Sequence, residues 1–344
     1  MNRMDIEKKI LKKESLEKLF NLLKDEGNQI IAPVKRKDIV EFKPVSAFTE
    51  TTWDYIQTVR SVKEAVFPKI ETLFRFETTK TSTTVTDVDV DQYPPTVLWG
   101  LHPCDAASFE ELVAVFTGPY TDAQFEGRYK KITVIGLSCA QADSYCFCTS
   151  VSIQPNGTRG SDILLTRLAS GDYLAEIVTE KGRQLLNKSP DLFQAASGNA
   201  EPVVADVPVR MDAAAVTAFL KKNFEHPFWK ENSLRCIGCG TCAYVCPVCT
   251  CYDIQDESRG KSGRRIRCWD SCGIGLFTLH SSGHNPRQLQ SQRWRQRIMH
   301  KFSYIPDQRQ ALGCVGCGRC SRACPVDMNI AEQLADLAVM EKAI

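Results

Sequence analysis

Hydrophobic and polar positions alternate with two distinct periods along the first two-thirds of the chain. Leu16, Leu19, Phe20 and Leu23 share one helical face behind Ser15 as a capping residue and ahead of Gly27 as a stop, so the pattern predicts a helix there. Residues 29–34 and 38–44 read as short paired strands around a Lys-Arg-Lys turn. The run 78–91 is rich in Thr and Asp and is expected to be a surface loop. Residues 96–101 and 132–137 are unbroken apolar runs of core-strand length, and 106–116 fits a helix between them, which predicts a βαβ-like unit. Residues 163–168 and 173–179 flank Ser170-Gly171-Asp172 and suggest a hairpin. The hydrophobic period then lapses over 188–210, where Ser, Pro, Ala and Gly point to a linker. Beyond it the pattern predicts a helix over 212–224, loops built around cysteine, and helical pieces near 288–302 and 330–340. The expected fold class is α+β: a mixed α/β domain over residues 1–210, then a mainly helical domain over 211–344.

Composition sharpens this picture at one point. With 43% hydrophobic and 24% charged residues the 344-residue chain is ordinary globular material, which excludes collagen, coiled coil and wholesale disorder. No apolar run approaches the ~18 residues of a membrane helix. The first nine residues lack a signal-peptide core, so a cytoplasmic location is expected. Charge is uneven: residues 1–209 carry a net −5 and residues 210–344 a net +7. The anomaly is 16 cysteines, which in a reducing compartment point to metal ligation or redox chemistry.

Twelve of those cysteines lie between Cys236 and Cys324. Cys236-Ile-Gly-Cys239-Gly-Thr-Cys242-Ala-Tyr-Val-Cys246-Pro247 is C-x2-C-x2-C-x3-C-P, and the pattern recurs from Cys314 through Cys317, Cys320 and Cys324 to Pro325. Three cysteines at this spacing let one tight loop set thiolates on three irons of a cubane, while the fourth ligates the other cluster. Two [4Fe–4S] clusters are therefore expected, one on Cys236, Cys239, Cys242 and Cys324, the other on Cys314, Cys317, Cys320 and Cys246. Zinc would need only two C-x2-C pairs per site and explains neither the triple repeats nor the prolines. The spacer of 67 residues between Cys246 and Cys314 exceeds that of a compact bacterial ferredoxin and is similar to α-helical ferredoxin domains of multi-subunit reductases.

Cys249, Cys251, Cys268 and Cys272 lie inside that spacer, and either a further metal or packing beside the clusters accounts for them. Cys104 and Cys139 each follow a predicted strand, and a βαβ unit would bring those strand ends to one sheet edge. With Cys146 and Cys148 they are expected to ligate a third Fe–S cluster; two buried thiols and a C-x-C redox pair are the alternative. His102, His226, His280, His284 and His300 form no spaced ligand pair and read as structural. No P-loop or strand-to-helix G-x-G-x-x-G occurs, which leaves no recognisable nucleotide or flavin site. Residues 259–309 hold eleven Lys and Arg against Asp270 and Asp307. Since an oxidised cubane with four thiolates carries a formal charge of about −2, this excess reads as compensation plus ordinary surface charge.

The motifs resemble those of a known family: the iron–sulfur subunit of anaerobic sulfite reductase and the β subunit of cytoplasmic NAD(P)-linked nickel–iron (sulf)hydrogenases. The resemblance is carried by Glu71–Phe76, Pro103-Cys104-Asp105, Cys146-Phe147-Cys148, His226-Pro-Phe-Trp229, both cluster motifs, Cys249-x-Cys251, Trp269-Asp-Ser-Cys272, Ser282–Pro286 and His300-Lys-Phe302, over roughly residues 71 to 325. An arginine commonly precedes the Pro-Cys-Asp of that family, where this chain has His102, and Cys268 is an addition to the pattern. The resemblance implies an electron-transfer component of a hetero-oligomer. Such a component relays single electrons from an NAD(P)H oxidoreductase partner with flavin and a [2Fe–2S] centre to a catalytic partner bearing sirohaem or nickel and iron, or in the reverse direction. Two other readings stand beside it: a reductase with its own catalytic cluster at Cys104, Cys139, Cys146 and Cys148, aided by His102 or Asp105, and a redox-sensing nucleic-acid binder. Aromatic residues are sparse in the basic segment, so binding of nucleic acid is not expected.

Overall fold

The computed structural model describes residues 6–196, 201–309 and 311–343. Its strands in chain order are β1 (Glu7–Leu11), β2 (Gln29–Arg36), β3 (Ile39–Val45), β4 (Ile70–Thr78), β5 (Thr83–Asp87) and β6 (Thr96–Leu101). They continue with β7 (Ile132–Leu137), β8 (Ile163–Arg167), β9 (Tyr173–Ile177), β10 (Phe193–Ala195), β11 (Tyr252–Arg259) and β12 (Ser262–Trp269). The helices of the first part are α1 (Leu16–Asp25), α2 (Pro103–Phe116), α3 (Ala123–Lys130) and α4 (Glu180–Lys188). Those of the second are α5 (Ala213–Lys222), α6 (Phe228–Asn232), α7 (Thr241–Tyr244), α8 (Gln290–Met299), α9 (Ile305–Arg309), α10 (Arg319–Arg322) and α11 (Ile330–Ala343).

An eight-stranded sheet runs β10-β1-β9-β8-β7-β6-β2-β3, and β2, β6, β7 and β8 within it are parallel neighbours. β6 is buried at every position, as the unbroken apolar run requires of a strand covered on both faces. The chain passes from β6 through α2 and α3 to the parallel β7, which is the expected βαβ unit. α1 lays Leu16, Leu19, Phe20 and Leu23 against one face of the sheet, in a core completed by Trp99, Ile135 and Leu186. Ser15 departs from its expected role: it lies in a preceding helical turn with φ −86° and ψ −11°, so its hydroxyl makes no cap bond. Capping proper falls to Asp122, Thr179 and Asp212 on α3, α4 and α5, whose side chains accept backbone N–H bonds.

A second sheet, β11-β12-β4-β5, corrects two expectations. The predicted loop 78–91 contains β5, and the cysteine-rich loops contain the hairpin of β11 and β12. Both outer strands are exposed at every residue, so neither carries the apolar alternation by which a strand is recognised. β12 pairs with β4 over seven positions, so this sheet draws strands from either side of residue 210. Arg267 on β12 ties the join, donating to Glu71 on β4 at 3.0 Å and to Asp122 at the start of α3. Of the linker expected over 188–210, residues 197–200 lie outside the described residues, as do residues 1–5 of the N-terminal stretch. The remainder of the linker includes β10, paired with β1. Another apolar core gathers Cys104, Phe147, Phe219, Trp229, Trp294, Phe302, Val315 and Leu337 from both parts of the chain. Among the described residues no helix is long and apolar enough to cross a membrane.

Candidate iron–sulfur centres

The first cysteine motif wraps a cavity whose lining includes Cys236, Cys239, Cys242 and, from the second motif, Cys324. The backbone can fold this tightly because Gly238 and Gly240 take φ of +69° and +74°, a region that side-chain-bearing residues avoid. The sulfurs receive donors from outside the loop: Gln290 Nε2 lies 3.0 Å from Cys236 Sγ and the Met328 N–H 3.2 Å from Cys324 Sγ. Cys320 of the second motif also lines this cavity, so the two sets of thiols share a wall.

The second motif repeats the design. Gly316 and Gly318 have φ of +63° and +68°, and the Gly316 N–H points at Cys314 Sγ at 3.4 Å. Burial pushes the Cys314 thiol up to about 12 and Cys317 up to about 11, with Cys246 and Cys320 adding to the shift of each. Cys246, from the end of the first motif, thus stands beside the second. Its own value is held well below the ordinary thiol by the neighbouring Cys249 S–H and by Lys301, Arg297 and Lys63.

The N-terminal cysteines also converge. Cys104 enters on the first turn of α2, Cys139 follows β7, and both line one cavity with Cys146, Cys148 and Cys317. Burial raises the thiols of Cys104, Cys139 and Cys148. This cavity abuts the second motif closely: Phe147 N–H donates to Gly316 O at 3.0 Å, and a Cβ on Gly316 would lie 2.5 Å from the Cα of Cys148.

Four buried cations face this sulfur. Lys301 Nζ lies 3.3 Å from Cys246 Sγ and 2.8 Å from Gly313 O; it projects from a π-helical segment, His300–Tyr304, that interrupts α8 and α9. Arg297 reaches Cys249 Sγ at 3.5 Å and Cys242 O at 2.9 Å. Lys63 donates to Cys249 O at 2.7 Å and lies over the Trp269 ring. Arg319 pairs with Asp105 at 2.6 Å and with Thr58, both ionic side chains being almost wholly buried. Burial opposes the charge of Lys301, Arg297 and Arg319, yet nearby sulfurs (and, for Arg319, Asp105) hold all three above their usual values; at Lys63 burial prevails.

The basic excess of 259–309 is thereby divided. Arg297 and Lys301 face cysteines, whereas Arg264, Arg265, Arg267 and Arg295 are taken up by Glu257, Asp256, Glu71 and Glu225. Lys63 and Arg319 carry no signature in the sequence that marks them out, although Arg319 sits inside the second motif. Of the unassigned cysteines, Cys251 is held near 6 chiefly by the S–H of Cys272, and Cys268 stands apart on β12, its Sγ 3.8 Å from Asp253 O.

The donor set suits iron–sulfur chemistry. Nearly every side chain offered is a thiol, the Gly316 and Met328 N–H groups point at sulfurs, and Arg297 Nε and Arg319 Nη1 are buried without a protein partner. Among the described residues no three His, Cys, Asp or Glu side chains close on a single metal ion. A cubane is a larger guest, with its four thiolates spread round its corners.

Comparison with known proteins agrees with this chemistry. The 4Fe-4S dicluster domain family matches residues 235–328. A curated relative, sulfhydrogenase 2 subunit beta of Pyrococcus furiosus, is 30% identical over 324 residues, covering 92% of this chain and 93% of its own. No solved structure matches the chain.

Proposed function

The chain belongs to the family of the sulfhydrogenase β subunits, and from that premise we propose that it is the iron–sulfur electron-transfer subunit of a multi-subunit oxidoreductase. In this reading Cys236, Cys239, Cys242 and Cys324 hold one [4Fe–4S] cluster and Cys314, Cys317, Cys320 and Cys246 a second. Cys104, Cys139, Cys146 and Cys148 hold a third Fe–S cluster. Residues 1–210 and 211–344 form its two functional parts, with the paired clusters in the latter. A cubane saturated by four thiolates exchanges single electrons without an open coordination position. The partners are an NAD(P)H-linked flavin and [2Fe–2S] subunit on one side and a catalytic subunit on the other, in a cytoplasmic hetero-oligomer.

What carries this reading is the exchange between the motifs: Cys324 lines the cavity of the first loop and Cys246 stands beside the thiols of the second. The remaining residues do what such a relay requires. Lys301 and Arg297 offset negative charge, Gln290 and the Gly316 and Met328 N–H groups orient sulfurs, and Phe302, Trp294 and Val315 exclude water. The competing readings find less support. Both ring nitrogens of His102 face backbone carbonyls at 3.0 Å, and Asp105 is wholly buried with one carboxylate oxygen paired to Arg319, so both side chains are withdrawn from solvent.

Iron and acid-labile sulfide in this chain, separated anaerobically from its iron-bearing partners, test the proposal. About twelve of each is expected, about eight would remove the N-terminal cluster, and zinc or no metal would overturn the reading. Cys317→Ala should lower iron by about four per chain.

A further inference from the structure

We propose that the surface around Cys239 is the docking face for a partner protein with an apolar centre and an acidic rim, and that electrons cross there. The proposal rests on Cys239 being a cluster ligand, the reading given under the function proposed for the chain. Among the described cysteines Cys239 is the exposed one; the other proposed ligands are buried or half-buried. Because electron transfer weakens steeply with distance, a partner seated over Cys239 has the shortest path to a cluster.

The surroundings are built for contact. Five large apolar side chains stand in solvent near this loop: Leu234 at 78% exposure, Leu276 at 73%, Ile237, Leu279 and Leu289. Ile237 stands in the loop itself, Leu234 just before it, and the other three on segments that pack against it. Gly238 packs against Gly273 O and Gln290, and Gly240 against Ser271 and Ile274, so the segment bearing Leu276 and Leu279 and the start of α8 after Leu289 lie over the same cluster loop. That segment has no helix or strand between β12 and α8, yet it is pinned: Thr278 Oγ1 donates to Asn285 Oδ1 at 2.8 Å and Asn285 Nδ2 to Gly275 O at 2.7 Å. Monomeric proteins rarely leave such a patch uncovered, and a preformed face binds at lower entropic cost.

Charge selects the occupant. Lys230, Arg235 and Arg287 make no ion pair with any described residue, and Glu231 is the sole acid in 228–242 and 271–293. A second copy of this chain would oppose like charges across a two-fold contact. A lipid surface would satisfy the cations but could not exchange an electron. An acidic-rimmed redox partner satisfies all three features.

The test uses the co-produced complex, purified anaerobically, carrying Leu276→Glu with Leu289→Glu or, separately, Arg235→Glu. In both variants this chain, separated from its partners, should keep wild-type iron content and visible absorption. The double variant should bind one redox partner about 30-fold more weakly or worse, the loss typical of a disrupted interface centre, and pass electrons to it correspondingly slowly. Arg235→Glu should weaken the same association and flatten its salt dependence. Wild-type binding and transfer in the iron-replete double variant would overturn the docking face while leaving the cluster assignment intact; an iron-free wild-type chain would instead overturn the assignment beneath it. An effect confined to self-association of the chain, or to binding of phosphatidylglycerol vesicles, would also overturn it.

Discussion

Arg319 and Asp105 form an ion pair almost wholly withdrawn from solvent, and they join residues 214 positions apart. A buried pair adds little over a well-packed apolar substitute, but leaving one member unpaired is expensive. Arg319→Met should therefore lower stability by about 3–5 kcal/mol in anaerobic denaturant unfolding, and adding Asp105→Asn should recover much of the loss. A small effect in the single variant would mean that water or another group already satisfies Asp105. This pair shows where sequence reading stops. The cysteines announce themselves by spacing, because ligation to a cubane dictates it. A buried arginine opposite an aspartate two hundred residues away leaves no such trace, and Lys63 lies outside any motif. The excess over 259–309 is visible as a total, but not its division into Arg297 and Lys301 at sulfur and Arg264 and Arg265 in surface ion pairs.

At the level of elements, the segments legible in advance are those with a buried face. α1, β6, β7 and the βαβ unit follow from apolar period and length, and the placing of Cys104 near Cys139 follows from that unit. β5 and β11 bury nothing, and their strand state is imposed by hydrogen bonds to β4 and β12. Motif glycines are equally legible, although spacing explains only half their role. At Gly316 the positive φ closes the cluster loop, and the missing Cβ also admits the Cys146–Cys148 turn. Gly316→Ala should cost about 1–2 kcal/mol from backbone conformation alone, with the added clash pushing that turn away. Its expected signature is a lowered melting temperature with a drop in iron per chain; wild-type values for both would mean that the two loops need not touch.

For the molecule as a whole, elements from either side of residue 210 pack together. The second sheet pairs β4 with β12, the core around Phe147 and Phe302 mixes both parts, and Arg267 reaches back to Glu71. A fragment of residues 211–344 would expose the β4 edge of β12 and the part of that core covered by Cys104, Phe147, Val151 and Ile153. We expect it to be insoluble or to lose its iron, even when reconstituted anaerobically; a soluble fragment with a full complement in its two motifs would show that the parts fold independently.

The exposure of Cys239 has a cost of its own. On the proposed ligation, the corner most open to a redox partner would also be the corner most open to dioxygen, and the chain on its own would carry its weakest point where its neighbour would shield it. Assembly then acts as a shelter, and air should bleach the cluster at the surface before those sealed beneath it.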